Sequence, residues 1–395
     1  MNVLNLIGRK NELFKNDITN NDHYLNDVIQ GHRFLVIGGA GSVGKAVVKE
    51  IFSRDPKLLH VVDINENNLV ELVRQIRSTD GYKEGEFKTF CLDFGSIEFD
   101  HFMNNYGKYD YVFNLAALKH VRSERDPYTL MRMIKVNIIN AEKTIEHSIN
   151  NNSKKYFSVS TDKATNPANM MGATKRVMEL LMIKRSLEIP ISTARFANVA
   201  FSDGSLLHGF TQRINKKQPL SAPSDVRRYF VTSKEAGELC LLSGLIGQNK
   251  EIFFPKLSSE LNLISFDQIA IEYLNRLGYD PVICETEDEA RESIEVLYKE
   301  GKWPCYFFDS DTTGEKDFEE FFSEDEIIDL DRFVNIGVIK SGLEFEEKKL
   351  DTFLLEIEKM KMNQLWKKKE VVALFNKMIP NFNHFETDKY LDDRM

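Results

Sequence analysis

The run Arg33-Phe-Leu-Val-Ile-Gly38-Gly39-Ala-Gly41-Ser-Val-Gly44 constrains this chain more than any other stretch. An apolar strand, Phe34 to Ile37, is expected to run into a glycine-spaced turn, with a helix starting near Ser42. Gly38 suits a tight turn, Gly41 lets backbone approach a pyrophosphate, and Gly44 lets the helix pack on the strand. The helix N-terminus offers free N–H groups and a positive dipole end, so Ser42 and Val43 join the three glycines as candidate cofactor contacts. A second apolar run, Leu58-Leu-His-Val-Val, ends in Asp63. It lies about 20 residues on, where an acid meets the ribose hydroxyls of a dinucleotide. A glycine triplet alone could be a structural turn. Its position between strand and helix, with Asp63 beyond, argues for a cofactor. Asp63 favours NAD over NADP, because its carboxylate would repel a 2′-phosphate and Ile64 and Asn65 supply no arginine.

Further along, apolar runs alternate with helical patterns. Strands are expected at 33–37, 58–62, 87–92, 109–115, 155–160 and 191–196, and helices at 42–53, 66–78 and 129–150. Such alternation implies a parallel sheet covered on both faces, the doubly wound (Rossmann) α/β fold. The expected organisation is an N-terminal extension over 1–30 and an NAD-binding Rossmann domain over 31–200. A smaller substrate-binding lobe over 201–340 and a helical C-terminal extension over 341–395 complete it. The acidic run from Asp311 to about 331 reads as solvated surface. Leu350, Phe353, Leu354 and Ile357, then Val371, Leu374, Phe375 and Met378, repeat at helical spacing and are expected to pack on the body or on a partner.

The net charge of −9 and the lack of a basic block argue against nucleic acid. Cys91, Cys240, Cys284 and Cys305 are scattered, which points to core residues rather than a metal site or bridges. No signal peptide and no run of about 18 apolar residues is visible, so a cytoplasmic enzyme with no membrane span is expected.

Three clusters follow the strands. Asn114-Leu-Ala116-Ala-Leu-Lys119-His120 puts small residues and two basic ones at a strand's carboxyl end, where open sheets bind ligands. Ala116 there, and Asp93 after the third strand, are cofactor candidates. His120 could equally be a hydrogen-bonded structural histidine. Ser160-Thr161-Asp162-Lys163-Ala-Thr-Asn166-Pro167 gathers a hydroxyl, an acid and an amine at the fifth strand's end. That density suggests proton transfer, against the blander reading of a helix cap with a local ion pair. Met171 and Lys175 lie one turn apart on the next helix.

Together these phrases resemble the nucleotide-sugar 4,6-dehydratases of bacterial polysaccharide biosynthesis, a branch of the extended short-chain dehydrogenase/reductases. The G-x-x-G-x-x-G spacing is typical of that superfamily. The matching segments are 116–121, 160–164 with Asn166-Pro167, 172–175, 195–199 and Arg227-Arg-Tyr-Phe230, within roughly residues 30 to 260. The superfamily places Y-x-x-x-K where this chain has Met171 and Lys175. That replacement resembles the retaining UDP-N-acetylglucosamine 4,6-dehydratases.

The resemblance implies an internal hydride cycle on NAD, a UDP-sugar substrate and a homo-oligomer, at least a dimer, through a helix pair. It implies Asp162 as acid for the departing C6 hydroxyl, Lys163 as C5 base, Thr161 on the C4 oxygen and Lys175 on the nicotinamide ribose. Lys119, His120 and Met171 are expected near the sugar, and Asn198 and Arg228 at the diphosphate. Asp162, Lys163 or a water held by Thr161 must take the C4 proton in place of the tyrosine. A nucleotide-sugar epimerase and a catalytically silent NAD-binding regulator remain alternatives. No metal is expected.

Overall fold

A computed structural model describes residues 2–390 except 258–260, 317–319, 342–344, 381 and 385. Six parallel strands form its centre: β1 (Arg33–Ile37), β2 (Leu58–Asp63), β3 (Glu86–Cys91), β4 (Tyr111–Asn114), β5 (Lys155–Val159) and β6 (Ile191–Ala194). Their order in space is β3-β2-β1-β4-β5-β6. The order reverses beside β1, and that switch point is where such sheets open a crevice at their carboxyl ends. β1 is buried from Phe34 to Ile37, which explains its continuous apolar run, and β5 is buried throughout although Lys155 and Ser158 interrupt its apolar residues.

The large sheet crosses the boundary expected at residue 200. Ile252–Pro255 adds to β6 in parallel, then Ile336–Ser341 and Ile327–Asp329 add antiparallel strands, giving nine in all. Two three-stranded sheets build the smaller lobe. One holds Asn198–Val199, Arg227–Val231 and Leu263–Ser265. The other holds Leu220–Pro223, Asp280–Cys284 and Lys302–Phe308.

The helix expected over 129–150 starts earlier, at Pro127, capped by Asp126, whose carboxylate accepts from the N–H of Tyr128 and Thr129. It also contains a π turn at Lys135–Ile139, a local widening that period counting does not register. The C-terminal helices Glu347–Asn363 and Lys368–Met378 pack on the body, as one of the two expected arrangements. Leu350, Phe353, Ile357, Val371 and Phe375 share an apolar cluster with Met131, Met133, Val177 and Leu181. Val177 and Leu181 belong to the helix Met170–Arg185, so the extension seals the outer face of the helix that carries Lys175.

The acidic segment is solvated only in part: Glu320, Glu324, Asp325 and Asp331 are exposed, and 317–319 lie outside the described residues, but the segment also turns inward. Thr313, Phe321 and Glu326 are buried. Glu326 is buried because Arg195, itself buried, pairs with it. Among the described residues no helix is long and apolar enough to cross a membrane, and no cluster of His, Cys, Asp and Glu could hold a metal ion.

Candidate active site

The glycine turn joins β1 to the helix Ser42–Ser53. Gly38 has φ +73°, and a Cβ there would lie 2.6 Å from the Ala116 nitrogen. Only glycine lets the ends of β1 and β4 approach this closely. Asp63, at the end of β2, accepts from the Ala40 N–H at 2.9 Å through one oxygen and from the Asn65 N–H at 2.9 Å through the other. The carboxylate is thus fixed beside the turn with lone pairs to spare. The Ser42 hydroxyl accepts from the Asp203 N–H at 2.9 Å, which ties the turn to the smaller lobe. Asp93 accepts from the Gly95 N–H at 2.9 Å, a local turn contact after β3.

The triplet sits past β5. Asp162 Oδ1 accepts from the Thr161 hydroxyl at 2.8 Å, the Lys163 N–H at 2.8 Å and Lys163 Nζ at 3.1 Å. Three donors converge on that one oxygen, and the side chain is 3% exposed. Acid, amine and hydroxyl therefore form one connected group, in which Thr161 also caps the short turn Asp162–Ala164 and Asp162 with Lys163 makes the local ion pair. The helix Met170–Arg185 lies against it. A Cβ on Gly172 would come within 2.3 Å of the Lys163 carbonyl oxygen, so this glycine sets the distance between helix and triplet. Asn169 caps the helix by accepting from the Gly172 N–H at 2.9 Å.

Lys175 is buried and donates to the Val159 carbonyl at 2.9 Å, at the strand end. Burial pushes its amine down to about 8, against the pull of Glu179. Lys119 is also lowered by burial and donates to the Ser202 hydroxyl at 3.2 Å. His120 packs beside Gly204, where an added Cβ would meet its ring at 2.9 Å. Met171 is 4% exposed and joins the apolar cluster under the C-terminal helices, so little of it faces open space. Asn198 carries a buried side-chain amide nitrogen with no hydrogen-bond partner among the described residues. Arg228 is engaged within the chain, donating to Glu315 at 2.9 Å and to the Lys316 carbonyl at 2.8 Å.

Two features escaped sequence reading. Asn137, within the π turn, holds the backbone of Leu118 by bonds in both directions at 3.0 Å and also donates to Thr174 at 3.0 Å. The second lies beneath the triplet. Arg195, fully buried at the end of β6, meets two carboxylates with forked bonds: Glu179 at 2.9 and 2.8 Å and Glu326 at 2.8 and 2.8 Å. Burial pushes the Glu179 carboxyl up, but Arg195 and Arg176 outweigh it and hold the group below the usual carboxylate range. The signals were a polar residue among apolar strand positions for Arg195 and a polar residue inside an apolar helical pattern for Asn137.

The parallel sheet, the glycine turn at the switch point and the helix packed against the triplet form a doubly wound α/β fold of the class that binds dinucleotides. Within that class the chain belongs to the family described as "Polysaccharide biosynthesis protein", whose model matches residues 34–296.

It is 33% identical over 313 residues to an uncharacterized membrane protein of Methanocaldococcus jannaschii, covering 77% of this chain and 84% of that one. It is 27% identical to the capsular polysaccharide biosynthesis protein CapD of Staphylococcus aureus over 67% of this chain, and spans 47% of that longer protein. A UDP-N-acetylglucosamine 4,6-dehydratase (inverting) of Campylobacter jejuni is 28% identical over 59% of this chain and 69% of its own. Among solved structures, Pen from Bacillus thuringiensis matches with TM-score 0.65 and 24% identity over 79% of this chain and 89% of that one. DesIV of Streptomyces venezuelae, a dTDP-glucose 4,6-dehydratase solved with NAD, matches with TM-score 0.56 and 15% identity over 73% and 88%.

Proposed function

We propose that this protein is an NAD-dependent UDP-N-acetylglucosamine 4,6-dehydratase that retains configuration at C5. The observation that carries the reading is the connected group Thr161-Asp162-Lys163 at the end of β5, with Lys175 beside it. The relative from Campylobacter jejuni supports the substrate and reaction class.

The glycine turn fits a dinucleotide. An added Cβ at Gly41 would touch only the Gly38 oxygen, at 3.5 Å, so protein does not fill the space that a pyrophosphate would use. Gly38, Gly41, Ser42, Val43 and Gly44 would hold that pyrophosphate, Asp63 the adenosine ribose, and Lys175 the nicotinamide ribose. When bound, the cofactor supplies a reversible store for one hydride. Mainly NAD is expected when the purified protein is denatured and the released nucleotide identified. Mainly NADP would show that Asp63 does not face the ribose.

The residues then divide the proton work. As a carboxylate, Asp162 takes the C4 hydroxyl proton, and as the acid so formed it gives a proton to the departing C6 hydroxyl. The two transfers cancel, so the missing tyrosine leaves no proton unassigned. Lys163, in its neutral form, takes the C5 proton and returns it. Thr161 orients the C4 oxygen, and Asn198 and Arg228 hold the diphosphate. For Arg228 this requires Glu315 to share or yield the guanidinium. The reading includes a homo-oligomer, which light scattering tests.

With UDP-N-acetylglucosamine, the mass of the product is expected to fall by one water. An isomer of unchanged mass would favour the epimerase, and no reaction the silent regulator. One group doing both C5 transfers acts on one face. In D2O, proton NMR is therefore expected to show one deuterium at C5 and the D-xylo coupling pattern. An L-arabino product would overturn retention.

A further inference from the structure

We propose that Glu326 is a positioning residue for the Thr161-Asp162-Lys163 turn, acting through Arg195. This rests on the reading of that triplet as catalytic.

The turn is held from below at both flanks. On one side the Ser160 hydroxyl donates to Glu179 at 2.6 Å. On the other the Thr165 hydroxyl accepts from Arg195 at 3.3 Å. Glu179 and Arg195 are themselves joined, so both flanks hang on one buried unit. Glu326 completes that unit. Its two oxygens grip Arg195, and one also accepts from the Ser323 N–H at 2.9 Å. The Phe321 carbonyl accepts at 3.0 Å from the same Arg195 nitrogen that reaches Thr165 and one Glu326 oxygen. The segment from Phe321 to Glu326 therefore wraps the guanidinium and fixes the nitrogen whose two hydrogens Thr165 shares with Phe321 and Glu326.

The charges explain why both carboxylates are needed. Arg195 and Arg176 bring two positive charges to this buried place, and Glu179 and Glu326 bring two negative ones. Removing the Glu326 charge leaves an excess cation with Glu179 as its sole carboxylate partner. Arg195 is then drawn toward Glu179 and its bond to Thr165 lengthens. A reacting group misplaced by about 1 Å costs roughly a hundredfold in rate. The competing view is that the ion cluster merely staples the antiparallel arm, Ile327–Ser341, to the sheet.

Two variants separate these views, Glu326→Gln and Thr165→Val. The second removes the link to the turn and leaves the ion cluster whole. Both are compared with wild type by hydrogen exchange of peptides covering 160–165 and 38–44, by thermal melts, and by kcat and KM with UDP-N-acetylglucosamine. In both variants exchange at 160–165 is expected to rise about tenfold and at 38–44 to stay unchanged. The kcat is expected to fall roughly ten- to a hundredfold, with KM within about twofold. Wild-type exchange at 160–165 in either variant, or wild-type kcat with only a lower melting point, overturns the proposal. If wild type itself performs no dehydration, the proposed function fails instead. The exchange comparison then decides alone whether Glu326 orders the turn.

Discussion

Lys163→Ala and Asp162→Asn are each expected to lower dehydration about a hundredfold or more, the usual contribution of a general acid or base. Each should still carry NAD, because both residues stand past β5 while the pyrophosphate site lies after β1. The Asp162→Asn effect is expected to be the larger. An amide can neither accept the C4 proton nor protonate the C6 oxygen, so two steps lose their partner. Turnover within a few-fold of wild type in either variant, with bound NAD and an unchanged melting point, would remove the triplet from the mechanism. Steady-state kinetics beside a cofactor assay reads all of this.

Arg195→Ala is expected to be strongly destabilising. It strips the shared cation from two buried carboxylates, Glu179 and Glu326. Breaking a buried pair by removing one partner costs about 3–5 kcal/mol, since a charge stays behind without compensation. Here two charges stay behind, offset in part by Arg176. Urea denaturation is the measurement, read as a fall in midpoint at constant slope. A loss below about 1 kcal/mol would mean that the two glutamates recover water or protons at little cost.

Much of the site was legible because it obeys local rules. A strand that ends in glycines and a helix is visible within a dozen residues, and the triplet announces itself by three reactive side chains in a row. What stayed hidden depends on distance along the chain. Glu326 lies in an acidic run that reads as solvent-facing, and nothing nearby shows that Arg195 waits for it on β6. Asn137 lies inside a helical pattern, and only the widened turn aims it at Leu118. The methionine at position 171 was visible, but its packing among the C-terminal helices was not, because amphipathic spacing does not say which surface a helix will cover.

The docking of those helices also sets a schedule for synthesis. The helix Met170–Arg185 leaves the ribosome long before Leu350 and Phe375, which cover its outer face. At about 5–20 residues per second, that interval is on the order of ten to forty seconds. Throughout it Val177, Leu181 and their neighbours offer a bare apolar stripe to any chaperone that binds such surfaces. The helix bearing Lys175 is therefore among the last parts of the nascent chain to gain its native cover, although its residues are made in the first half.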